Sequence, residues 1–167
     1  ETAQFHKVKM PGGYREQITF FSEPVGGATL CPDKNKNIFL FTKDVGGGEF
    51  YQIFSFDLDN ASYKMLTDGK SSNGGVNWNN KGDKFSFFST IAGTRLVSGT
   101  HPALWYGDPG SIQLLARTGD AAGSTGLFFR NFYQTFHARS DGSIAFAAQV
   151  ATSATGGTLR DSLWIVS

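Results

Sequence analysis

Gly26-Gly27-Ala28 is answered 48 positions later by Gly74-Gly75-Val76, and the stretches that follow the two are alike. Each continues to an apolar residue, Leu30 or Trp78, then a polar turn, then a strand-like run. The turns are Pro32-Asp33-Lys34-Asn35-Lys36-Asn37 and Asn79-Asn80-Lys81-Gly82-Asp83-Lys84. The runs are Ile38-Phe39-Leu40-Phe41-Thr42 and Phe85-Ser86-Phe87-Phe88-Ser89. A third copy is Tyr133 to Ala138, the turn Arg139-Ser140-Asp141-Gly142, then Ser143 to Ala147. Asp-Gly between alternating runs is a strong hairpin signal. A fixed recurrence of this length marks a repeat architecture.

A second kind of hairpin alternates with the first. Phe5 to Met10, the turn Pro11-Gly12-Gly13 and Arg15 to Phe21 make one. Tyr51 to Phe56, the turn Asp57-Leu58-Asp59-Asn60 and Tyr63 to Thr67 make another. Ala103 to Tyr106, the turn Gly107-Asp108-Pro109-Gly110 and Ile112 to Ala116 make the third, and Asp161 to Val166 repeats the first strand of this kind. With the strands lettered A-B and C-D, the chain reads C-D, A-B-C-D, A-B-C-D, A-B-C, thirteen strands in all. No long helical period survives between the Gly and turn clusters. Four antiparallel strands per repeat predict an all-β chain of β-propeller blades, about three per chain, against the alternative of a sandwich or barrel. The expected units are a C-D hairpin over 1–22, blades over 23–70 and 71–120, and an incomplete blade over 121–167.

Composition agrees. The 167 residues carry 16 Phe and 21 Gly, the mix of many short strands and tight turns. Fifteen basic and 14 acidic residues leave a net charge of +1, which argues against a nucleic-acid or anionic-membrane partner held by bulk charge. Apolar runs are short, so no membrane-spanning helix is expected. Cys31 is the single cysteine, which excludes an intrachain disulfide, and it reads as a small hydrophobe. The opening Glu1-Thr2-Ala3-Gln4-Phe5 has no basic-then-apolar leader pattern.

Residues 11–90 resemble the TolB-type propeller repeats of Tol-Pal proteins and of prolyl-oligopeptidase-family peptidases. The likeness rests on Gln17-Ile18-Thr19-Phe20-Phe21, Pro24-Val25-Gly26-Gly27-Ala28, Pro32-Asp33 and Leu66-Thr67-Asp68-Gly69-Lys70-Ser71. Residues 101–167 are worded differently. Ala103-Leu104-Trp105-Tyr106-Gly107, Leu114 to Asp120 and Asp161 to Ile165 resemble repeats of a bacterial secreted propeller-like family. The two wordings meet at about residues 91–99, as in a chimaera or engineered assembly of blade fragments, with a diverged natural protein as the alternative. The resemblance implies a bacterial periplasmic or secreted setting for a natural protein.

Catalytic chemistry is not legible. The peptidases' nucleophile motif G-x-S-x-G is absent; Gly69-Lys70-Ser71-Ser72-Asn73 has the wrong spacing and reads as an inter-blade loop. His6, His101 and His137 lie far apart, with no metal-ligand spacing. Asp57-Leu58-Asp59-Asn60 lacks the later oxygens of a calcium loop and reads as a turn. Gly46-Gly47-Gly48 opens no helix and is taken as a B-C turn, while Asp33, Asp83 and Asp141 recur with the turns rather than as an acid/base pair. No catalytic residue, cofactor or metal is expected. Trp105 and Trp164, at one C-strand position that Ile53-Phe54 fills in the earlier blade, are predicted to be buried between blades. Tyr14, Arg15 and Tyr63, near C-D turns, are freer to meet a ligand.

Three blades are too few to close a propeller. The expectation is therefore a non-enzymatic arc that closes by self-association as a homo-oligomer, a dimer first, with an eight-bladed dimer as an alternative count. The residues assigned to that assembly are Phe5, Val8, Ile18 and Phe20 at the N-terminal hairpin, and Leu163, Trp164 and Ile165 on the last strand. Two other readings stay open: a module binding a small molecule, peptide or glycan, and a propeller regulating access to a separate serine peptidase domain.

Overall fold

In a computed structural model, which describes residues 2–90, 102–139 and 141–166, the chain forms thirteen strands and no helix among those residues. β1 (His6–Val8) and β2 (Arg15–Gln17) form a hairpin. β3 (Val25–Leu30), β4 (Ile38–Lys43), β5 (Gln52–Asp57) and β6 (Ser62–Met65) form a four-stranded antiparallel sheet in chain order. β7 (Asn73–Trp78), β8 (Phe85–Ser89), β9 (Ala103–Asp108) and β10 (Ser111–Arg117) form the next. β11 (Phe128–Ala138), β12 (Ile144–Ala151) and β13 (Arg160–Val166) form a three-stranded sheet. This is the expected propeller-blade architecture, with strands meandering in sequence order within each sheet.

Burial follows strand position. β4 and β5 are nearly continuously buried, because the middle strands of a blade have sheets packed on both faces. β3 is mostly open and β6 is exposed throughout, as the inner and outer edges of the same sheet. The Gly pairs explain the repeat that starts the fold. Between Gly26 and Thr29, and again between Gly74 and Asn77, the register slips as a bulge. Gly27 and Gly75 sit there at φ of 55° and 64°, a left-handed backbone that favours glycine.

Each sheet has an aromatic front, and its rear is mainly aliphatic, with Phe88 the aromatic exception. Phe39, Phe41, Phe54 and Phe56 form the front of the β3–β6 sheet, and Phe5 and Ile18 of the hairpin pack on them. Leu40, Ile53 and Leu66 form its rear and pack against Phe85, Phe87 and Trp105, the front of the β7–β10 sheet. The rear of that sheet, Leu104, Ala116 and Phe88, packs against Phe129, Phe136, Phe146 and Trp164. Polar ties add to the packing. Trp78 donates its indole N–H across the boundary to the Thr29 carbonyl (3.1 Å). Lys36 Nζ and Cys31 Sγ both reach the Gly82 carbonyl on the neighbouring sheet.

Several expectations need correction in detail. Trp105 and Trp164 are only half-buried, since the first borders an open cleft and the second lies on β13, the open edge of its sheet. The residue equivalent to them in the earlier sheet is Phe56, which pairs with Phe39 as Trp105 pairs with Phe87 and Trp164 with Phe146. Ile53 instead faces the rear. The strand expected from Tyr133 begins at Phe128 and tolerates two register shifts. β1 and β2 are shorter than the alternation suggested, because side chains of Gln4 and Thr19 take over the backbone bonds beyond them. Residues 91–99, where the two wordings meet, lie outside the described residues, as do His101 and Ser140.

Candidate functional site

Gln52 is the buried hub at the crossing from β6 to β7. Its Oε1 accepts from the Thr67 hydroxyl (2.7 Å), the Gly69 N–H (2.9 Å) and Asn73 Nδ2 (3.3 Å), while its Nε2 donates to the carbonyls of Ser71 (2.6 Å) and Phe50 (3.0 Å). Thr67 Oγ1 also accepts from the Ile53 N–H (3.0 Å). The same clamp exists 48 residues earlier, where Gln4 Oε1 accepts from the Phe21 N–H (3.0 Å). There Gln4 Nε2 donates to the Glu23 carbonyl (3.3 Å), and Thr19 accepts from the Phe5 N–H (2.9 Å). Both clamps fix the chain where it leaves one blade for the next. On the third C-D hairpin the Thr persists as Thr118, but its hydroxyl meets the carbonyl of Pro102, which has no amide side chain to offer. Nothing in the reading of motifs flagged Gln4 or Gln52; the 48-residue spacing of the two was the available signal.

Beside the Gln52 clamp a cleft of about 330 Å³ opens between the second and third sheets. Leu66, Phe87, Trp105 and Ile112 form its apolar walls. Phe87 and Trp105 lie nearly parallel, 7° apart with centroids at 6.3 Å, and Trp105 Nε1 donates to Ser89 Oγ (2.6 Å). Asp68 stands at the mouth. Burial pushes its carboxyl up, but the backbone N–H groups of Ser71 and Lys70 and the Ser71 hydroxyl outweigh that and hold it below the usual carboxylate range.

The residues assigned to assembly are spread over both ends of the arc. Phe5 and Ile18 are engaged within the chain, against the front of the β3–β6 sheet. Val8 is exposed, and Phe20 is 79% exposed. Trp164 packs on Phe129 with ring centroids 5.0 Å apart. Leu163 and Ile165 point the other way, from the uncovered rear of the last sheet, at 73% and 59% exposure. On that same face Asp161 accepts from the Tyr133 hydroxyl (2.6 Å) and Gln149 Nε2 (3.2 Å). His6 and His137 are exposed, and no three His, Cys, Asp or Glu side chains gather as a metal-ligating set among the described residues. Asp57 accepts from the Asp59 N–H and Asn60 Nδ2, which occupies both its oxygens in the turn.

Solved structures place the fold in a known group. TolB from Acinetobacter baumannii superposes with a TM-score of 0.55 at 20% identity, over 95% of this chain and 37% of that one. An oligogalacturonate lyase in complex with manganese superposes at 0.57 and 12% identity, over 94% of this chain and 41% of that one. A prolyl endopeptidase gives 0.56 at 10% identity, over 96% of this chain and 26% of that one. The chain thus spans well under half the length of these neighbours, and at such identities the likeness is one of fold: a TolB-like propeller. No curated protein matches in sequence. A model of a family of unknown function, DUF7453, matches residues 65–167, more than half of the chain. By that match the chain belongs to the DUF7453 family.

Proposed function

We propose that the chain is a non-catalytic propeller arc that closes its ring by joining a second copy of itself. The observation that carries this is the exposed pair Leu163 and Ile165. Leu40 and Leu104, on the rear faces of the two four-stranded sheets, are fully buried beneath the sheet that follows. Leu163 pairs with Ala147 across the last sheet, the counterpart of Leu104 with Phe88, and has no sheet over it among the described residues. An uncovered apolar sheet face beside an open strand edge marks an interaction surface.

Size and charge favour a second copy as the occupant. The arc amounts to about two fifths of the TolB and lyase chains, so two arcs approach one ring. The face of the N-terminal hairpin turned away from Phe5 and Ile18 carries exposed Val8 paired with Arg15, and the rear of the last sheet carries Asp161 beside Leu163. The reading as a non-enzyme is supported by the absence of G-x-S-x-G from the sequence. The change of wording at 91–99 is better read as divergence within one family than as a join, since one family model runs unbroken from 65 to 167.

Light scattering of the purified chain tests the assembly. The expected mass is that of a dimer, and Leu163→Asp should return it to a monomer that still melts cooperatively. A monodisperse monomer at micromolar concentration, or association with a different blade-bearing polypeptide only, overturns the proposal.

A further inference from the structure

The two inter-blade boundaries at the start of the chain are built on one plan, and one of them lacks a ring. At the first, Phe21 fills the slot beside the clamp. Its ring stacks on Phe41 (5.7 Å, 26°) and meets Tyr63 edge-on (4.9 Å). Lys43 Nζ sits 5.4 Å from the Phe21 centroid and 3.0 Å from Glu23 Oε2. The slot therefore holds a ring, an ammonium over it and a carboxylate pairing the ammonium.

At the second boundary every one of the ring positions is smaller. The 48-residue repeat puts Gly69 in the place of Phe21 and Ser89 in the place of Phe41. Register puts Leu114 opposite Trp105 where Tyr63 stands opposite Phe56, and Ala103 opposite Ser89 where Phe54 stands opposite Phe41. The clamp around the slot is unchanged, with Gly69 N–H on Gln52 as Phe21 N–H is on Gln4. Loss of those rings without collapse of the frame leaves the cleft of about 330 Å³. An apolar cavity of roughly 150 Å³ takes up benzene, so this one has room for a ring and a short side chain. Among the described residues its walls are Leu66, Phe87, Trp105 and Ile112 with a polar side of Thr67, Ser71, Asn73 and Ser89, and Asp68 is the single charged one.

We infer that this cleft binds a small arylalkyl ammonium compound. The aromatic ring takes the place of Phe21 against Trp105 and Phe87, and the ammonium pairs with Asp68 at the mouth. The ligand restores, from outside, the ring and cation that Phe21 and Lys43 supply at the first boundary.

Titration calorimetry of the intact chain with phenethylamine and tryptamine, each as the hydrochloride, tests this. Saturable 1:1 binding is expected, with a shift in Trp emission, and the uncharged 2-phenylethanol should bind about tenfold more weakly. Asp68→Asn keeps an acceptor for the Ser71 and Lys70 N–H groups and should erase that tenfold preference while leaving phenylethanol unchanged. Ile112→Trp should fill the cleft and abolish binding of all three, with an unchanged cooperative melt. Should that variant not fold, the Asp68→Asn comparison decides alone. Absence of saturable binding at millimolar probe, or a preference for the amines that survives Asp68→Asn, overturns the inference. The oligomeric state is measured separately, so failure here leaves the assembly reading standing.

Discussion

The hydroxyl of Thr67 donates to the carboxamide oxygen of Gln52 at 2.7 Å and at the same time accepts the Ile53 N–H at 3.0 Å. One short side chain thereby extends the β5–β6 ladder beyond its last backbone pair. The carboxamide it fixes then satisfies backbone groups of the loop that crosses to the next blade. Buried polar networks of this kind are stabilising only when every member is satisfied, which sets the cost of breaking one.

Gln52→Ala should destabilise the chain by about 3 kcal/mol, since it removes the acceptor of the Thr67 hydroxyl and the Gly69 N–H and the nearer donor to the buried Ser71 carbonyl. Gln4→Ala, at a half-buried site where water can substitute, should cost about 1 kcal/mol. Urea unfolding of both variants measures the difference. Equal effects would show that burial does not separate the two clamps.

Gly107 tests the turn between β9 and β10. A Cβ there would overlap the Ser111 carbonyl oxygen on the partner strand, whereas one at Gly74 meets nothing within 4 Å. Gly107→Ala should cost about 3 kcal/mol through overpacking against backbone. Gly74→Ala should stay within about 0.5 kcal/mol of the parent. Thermal melts of the pair read this directly.

Trp105 stacks on Phe87 while one side of its indole borders the cleft. Trp105→Ala should therefore cost about 2 kcal/mol, below the 3–5 kcal/mol of a fully buried large aromatic. Phe87→Ala, fully inside the same boundary, should cost about 4 kcal/mol. Denaturant midpoints of the two variants give the order, and Trp105→Ala costing more than Phe87→Ala would contradict this packing.

Carboxylates set the acid limit. Lys43 and Ser22 hold Glu23 low, the Asn79 side chain holds Asp83 low, and the Ser143 hydroxyl and N–H hold Asp141 low. A carboxyl whose folded pKa lies below its unfolded value contributes stability above the unfolded value and loses it as pH falls through the folded one. The melting temperature should therefore be flat above about pH 5 and fall below about pH 4. Asp83→Asn should shallow that fall, as seen in melts across the acid range. A melting temperature rising toward acid would contradict the assignment.

Local chemistry made much of the fold legible before any coordinates. Short apolar runs such as Ile38–Thr42 and Phe85–Ser89, and turns such as Asp141-Gly142, depend on neighbours in sequence, so strand number and order could be counted from the chain itself. Which face of each strand meets which neighbour was not written locally. Leu40 and Phe41 are adjacent and both fully buried, yet one closes the boundary behind the sheet and the other the boundary before it. The same holds for the sites. Gly69 reads as an ordinary turn glycine until its N–H is found on Gln52, as the Phe21 N–H is on Gln4, which stands it where Phe21 fills its slot. Leu163 reads as one more strand residue until it is found 73% exposed, with no sheet against it among the described residues. Strand formation is decided by residues a few positions apart, whereas an empty slot or an uncovered face is defined by what distant sheets bring, or fail to bring, against it.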